Sequence, residues 1–374
     1  MAFVICSATA MASRAVTPQP GAGAHPPVQS QTINIGLLIP DSNQTAAVES
    51  VRLAIDEANE EGGIDGTLLR LVIRSTEGPW GAGSKESVNL VYEDGVSVII
   101  GALDGRNGHL AEQVATKSHL TYLETVATES TLSQAFVPYF MRCVPSDDQQ
   151  ARTILNMVGQ TGGGTLAILS NEQYDNLNAA RSFDRIAKLE QRPTPLILDM
   201  DPAGPPLDQL LGELRKNGVK HLVFPFKTDL SLQLLNELRQ SAPDIKVYGT
   251  LRFIADLVPG DPVWKELEGM SILSTGLFQS PEGVAFRKKF EERTGHPPTI
   301  SSAYIYDGTS MVLEAIRRAG TDREAIKDTL AAMKDYGGVT GNITFDEMGN
   351  RRGPLRLIRV TKGDPVFLQA SSTE

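Results

Sequence analysis

The sequence predicts an α/β protein made of two doubly wound parallel sheets. Three observations lead there. Short apolar runs, VSVII (96–100) and LTYL (120–123), read as strands buried on both faces, as parallel strands under helices must be. Strand and helix patterns alternate four times before Pro145, then restart at Asp147. At 374 residues the chain is too long for one ordinary core and suits two domains.

In order, INIGLLIP (33–40) reads as the first strand. The following helix, TAAVESVRLAIDEANEE (45–61), carries Val48, Val51, Ile55 and Ala58 on one face and is stopped by Gly62 and Gly63. LLRLVIRS (68–75) is a second strand, followed by the loop TEGPWGAG (76–83) and the helix SKESVNLVYED (84–94). The two strands at 96–100 and 120–123 flank one amphipathic helix, and each runs into a polar loop, 102–108 and 124–131. Open α/β sheets hold ligands above the carboxyl ends of strands, so these loops are the first candidates for a small-molecule site.

The second half repeats the alternation. Its strands are TLAILS (165–170), PLILD (195–199), HLVFPF (221–226) and KVYG (246–249), with helices at 147–161, 176–190, 206–218 and 230–241. SILSTGLF (271–278) reads as a return crossing. Helices at 284–295, 301–320 and 322–335 follow, and then two strands, GNITF (341–345) and PLRLIRV (354–360). No fixed-period repeat is present.

Composition narrows the function. A net charge of −10 without any Lys/Arg-rich run argues against nucleic acid, and no stretch has the length of a membrane helix. Cys6 and Cys143 are the two cysteines, too few for a disulfide framework. AFVICSATAMAS, ending near Ala10-Met11-Ala12, is like the back half of a secretory signal without its basic start. Either the start lies upstream or the run is no signal. The segment 13–31, rich in Pro, Gly, Ala and Gln, reads as a disordered linker.

Catalytic motifs are not evident. The loop 76–83 spaces Gly78 and Gly83 like a phosphate loop, but Ser84 stands where the lysine belongs and Lys85 comes one place late. A tight turn with Trp80 capping the sheet edge is the simpler account. His25, His109, His119, His221 and His296 never pair at metal-ligand spacing, and no nucleophile elbow occurs. Asp147 and Asp148 read as charges on a helix's first turn.

The segments ANEEGGIDGTLLRLVIRS, VYEDGVSVIIGALDG, VATESTL and YFMRCVPSDDQQA resemble type I periplasmic solute-binding proteins. So do AYIYDGTSMVLEAIRRAG and GGVTGNITFDEMGNR near the C-terminus. The nearest branch is that of the leucine/isoleucine/valine-binding proteins of ABC importers. The resemblance covers about 33–360 and implies the fold of that family, two parallel-sheet lobes joined by a three-strand hinge. Residues 1–32 are then leader and linker. The N-terminal lobe takes 33–144 plus 277–335, and the C-terminal lobe 145–276 plus 336–374, with crossings near Val144, Gly276 and Tyr336. The implied activity is non-enzymatic: a small amino acid or carboxylate closes the lobes, and membrane permease subunits then recognise them. The implied location is periplasmic or extracytoplasmic, with no cofactor or metal. A ligand-sensing regulator on the same fold is the alternative.

Carried over by residue, the family's serine after the third strand falls on Gly105, between Asp104 and Arg106; the amide stays and the hydroxyl goes. The family threonine matches Thr128, which either meets ligand or caps a helix starting near Glu129. A family tyrosine matches Tyr174 in SNEQYDN, and the first-loop aromatic falls at Asn43 or its neighbour, where a helix cap is equally in view. The acid that binds the ligand's ammonium falls at Leu251 and Arg252. A cation there repels ammonium, so Arg106 and Arg252 could clamp an anion instead, while Asp104, Glu129 and Glu172 keep an amino acid open.

Overall fold

The computed structural model describes residues 32–79, 81–134, 136–200, 206–276 and 280–367. The expectations for the leader, Cys6 and Trp80 lie outside these residues, as does part of the return crossing.

The first sheet is wholly parallel. It holds β1 (Ile33–Ile39), β2 (Leu69–Ser75), β3 (Val98–Gly101), β4 (Tyr122–Glu124) and β5 (Phe140–Arg142), in the order β2-β1-β3-β4-β5. The apolar runs are explained by cover on both faces. Ile35, Leu37, Val98 and Ile100 pack with α1 (Thr45–Glu60) and residues of a long late helix. Leu38 and Ile99 face the other way, toward Leu90 of α2 (Ala82–Tyr92) and Ala111 of α3 (Gly105–Lys117). Gly63 ends α1 at φ +79, where a Cβ would lie 2.2 Å from the Thr67 carbonyl oxygen. The helix expected from Glu129 is only a turn, α4 (Thr131–Gln134), because the chain must leave at once for β5.

The chain then passes to a second sheet. It holds β6 (Thr165–Ser170), β7 (Leu196–Asp199), β8 (Val219–Phe224), β9 (Lys246–Gly249) and β10 (Ser271–Ser274), with α5 (Asp147–Gln160), α6 (Tyr174–Leu189), α7 (Leu207–Lys216), α8 (Asp229–Ser241) and α9 (Val263–Glu266). A capping box between Ser146 and Gln149 starts α5. After β10 come α10 (Pro281–Thr294), α11 (Ile300–Ala319) and α12 (Arg323–Ala332). α11 is the long helix on the first sheet, through Met311, Val312 and Ile316.

Three short strands follow, β11 (Tyr336–Gly338), β12 (Gly341–Phe345) and β13 (Arg351–Arg352). Ile343 and Phe345 remain in the first core, and the Gly349 carbonyl accepts from the Arg142 N–H at 2.8 Å. The chain therefore rejoins the second sheet only after β13, later than the expected crossing near Tyr336. There β14 (Arg356–Thr361) and β15 (Asp364–Phe367) add antiparallel strands, in the order β15-β14-β10-β9-β8-β6-β7. The molecule is thus α/β with two lobes.

Candidate functional site

A cavity of about 280 Å³ lies between the two sheets. Its walls come from the loops after β1, β3 and β4, the start of α6, the loop after β9, and the first turns of α11. Residues of both loops singled out in the sequence, 102–108 and 124–131, line it. The surface is largely apolar, with Ala47, Leu103, Val126, Leu251, Ile300 and Tyr304. Several polar neighbours are already engaged. Thr125 Oγ1 donates to the Gly101 carbonyl at 2.6 Å, and the Tyr304 hydroxyl pairs with Thr275 Oγ1 at 2.6 Å. Glu124 Oε1 accepts the N–H groups of Thr125, Val126 and Ala127 at 2.9, 2.7 and 3.0 Å.

Of the residues carried over, Asp104, Thr128 and Arg252 line the cavity. Asp104 caps α3: its Oδ1 accepts from the Asn107 N–H at 2.9 Å and its Oδ2 from Asn107 Nδ2 at 2.7 Å. Thr128 caps no helix, since α4 starts at Thr131; its hydroxyl meets the Asp147 carboxyl. Arg252 is the only cation among the described lining residues. It forms an ion pair with Asp175.

Asp175 is the residue the sequence reading passed over. It is buried, and while one oxygen meets Arg252, the other accepts the Gly105 N–H from the opposite lobe at 3.0 Å. The glycine is required by this approach: a Cβ at Gly105 would lie 2.8 Å from Asp175 Oδ1 and 2.8 Å from Glu129 Cβ. Signal for Asp175 existed, because it lies in the first turn of the helix that follows the buried strand TLAILS.

The other expected residues stand around the cavity rather than on it. Arg106 is exposed, its guanidinium 5.3 Å from the centre of the Tyr174 ring, and it does not line the cavity as Arg252 does. Tyr174 is half-buried at the start of α6, under the Arg106 guanidinium of the other lobe, and burial pushes its hydroxyl pKa up. Glu129 is buried and turned to the first lobe, accepting from the Thr131 N–H at 2.9 Å and lying 3.2 Å from His109 Nε2. Burial works to raise its carboxyl, but the bonds from His109 and Thr131 outweigh it and hold the group below the usual range. Bonds to Glu112, then Glu129, push His109 up to about 9 against burial. Glu172 is exposed. Asn43 is exposed too and caps nothing, since Gln44 precedes α1 and lines the cavity in its place.

Asp147, expected as a first-turn charge, is buried behind Thr128, and burial pushes its carboxyl up to about 7 despite Thr128, Arg142 and Arg252. Among the described residues no cluster of acids, histidines and cysteines has the makings of a metal site.

Comparison with known proteins places this geometry. An ABC transporter substrate-binding protein from Desulfitobacterium hafniense superposes with TM-score 0.75 at 21% identity, covering 90% of this chain and 100% of its own. The branched-chain amino acid substrate-binding protein LivJ of Streptococcus pneumoniae, solved with isoleucine, gives 0.73 at 22%, covering 90% and 98%. A solute-binding protein of R. palustris, solved with benzoate, gives 0.74 at 14%, covering 90% and 96%. At such identities the likeness is one of fold. Glutamate receptor 3.4 of Arabidopsis thaliana is 25% identical over 165 residues, which are 43% of this chain and 17% of that much longer protein. The family model described as periplasmic binding protein matches residues 32–365, nearly the whole described chain, and the protein belongs to that family.

Proposed function

We propose that the protein is an extracytoplasmic solute-binding receptor of an ABC importer, holding a small carboxylate with an apolar body between its lobes. The observation that carries this is the apolar interlobe cavity, lined among the described residues by a single cationic side chain, Arg252. A guanidinium with N–H groups to spare is a natural partner for a carboxylate. Acids that would hold an ammonium are committed elsewhere: Asp104 to Asn107, Asp175 to Arg252 and Gly105. Isoleucine and benzoate in the solved relatives both carry a carboxylate, and benzoate has no amine. Closure on the solute follows from contacts made to both lobes, and the closed faces are what permease subunits read.

Thermal shift on protein unfolded and refolded to strip carried-over ligand tests this, with amino acids, aliphatic and aromatic monocarboxylates, and amides. Carboxylates raise the melting temperature with the logarithm of ligand concentration over dissociation constant, and Arg252→Ala abolishes the rise. A rise with amino acids alone, insensitive to Arg252→Ala, would overturn the reading.

A further inference from the structure

Arg252 has a second side. Behind it, within the second lobe, lies another cavity of about 270 Å³, and Arg252 and Ala255 belong to the walls of both. This pocket stands above the carboxyl ends of β6 and β8. From β6 the chain goes to β7 on one side and then to β8 on the other, so the strand order reverses between them. Such reversal points open a crevice where α/β sheets take ligands. The walls are more polar than those of the interlobe cavity, with Asn171 and Gln173 after β6, Asn176 on α6, and Lys227 and Thr228 after β8, beside the apolar Phe226 and Ala255. Lys227 is mostly buried, and its ion-pair partner Asp256, at 3.1 Å, is 70% exposed. Two cations, Lys227 and Arg252, thus share one pocket, and the acid that holds Lys227 is well solvated and easily exchanged.

We propose that this pocket is a second subsite of the solute site, and that the solute is a dicarboxylic acid. The carbon skeleton lies in the apolar interlobe cavity, one carboxylate meets Arg252, and the second reaches Lys227. This rests on the reading of the interlobe cavity as the solute site. The affinity of the stripped protein is measured by calorimetry for matched pairs on one skeleton: hexanoate with adipate, benzoate with phthalate and terephthalate. At least one dicarboxylate binds about tenfold or more tightly than its monocarboxylate, as one further charge-assisted contact requires. Lys227→Gln brings it down to the monocarboxylate's level, whereas Asp256→Asn, which frees Lys227, tightens it. Equal affinities throughout, or an advantage that survives Lys227→Gln, would overturn the subsite and leave the carboxylate reading standing. Binding of no acid of either kind overturns both.

Discussion

Asp147 makes the stability of the fold depend on pH. Its carboxyl, pushed by burial from the ordinary 3.8 up to about 7, holds a proton more tightly in the folded state than in the unfolded chain. Its contribution therefore favours the fold at low pH and declines as pH rises from about 4 to about 7. In Asp147→Asn that decline is absent, so the variant's melting temperature relative to the parent climbs across this interval and levels off above it. A constant difference from pH 4 to 8 would show an ordinary carboxyl. Nothing local in SDDQQA distinguishes Asp147 from Asp148, since both follow the cap Ser146 on a first turn. The distinction comes from the packing: Asp147 turns to Thr128, and Asp148 turns outward to Arg185.

At the scale of elements, α11 shows how closely helix and sheet approach. The pattern SSAYIYDGTSMVLEAIRRAG sufficed to read it as a helix, but the need for glycine at 308 was not visible. A Cβ there would lie 2.7 Å from Thr125 Cγ2 and 3.2 Å from Cys143 Sγ. Gly308→Ala accordingly forces α11 off β4, at a cost of about 1–3 kcal/mol for overpacking. A urea midpoint lowered at unchanged slope would be the result, and an unmoved midpoint would mean that the helix has room to shift. The neighbouring Asp307 pins the same helix to the turn between β11 and β12, accepting the N–H groups of Val339 and Thr340 at 2.7 and 2.9 Å. That tie fixes the turn between β11 and β12 against α11.

At the scale of the whole molecule, the lobes are joined by covalent crossings and by polar contacts across the cleft. Arg142 and Arg351 are both buried near the crossings. Arg142 donates to the Glu129 carbonyl, Ser133 and Asn350. Arg351 holds the Cys143 carbonyl at 3.1 Å and the Thr340 carbonyl at 2.9 Å. Across the cleft, Asp175 accepts the Gly105 N–H and so ties one lobe to the other. Asp175→Ala removes that bond and shifts the ligand-free population toward open forms. Small-angle scattering of the stripped variant then gives a larger radius of gyration than the parent. Superimposable curves would show that the Asp175 contact does not govern closure.

The sequence by itself determined the α/β class, both alternating halves, their strands in nearly every case, and the two first-lobe loops that reach the cavity. These follow from local rules, since apolar runs, helical periodicity and glycine stops act over a few residues. Only the tertiary structure decided which side chains face the interlobe cavity. Thr128 and Arg252 reach the cavity, Arg106 and Tyr174 stand beside it, and Asp175 comes to Gly105 from 70 residues away in sequence. Such pairings depend on how two lobes meet, and no periodicity within either lobe encodes that.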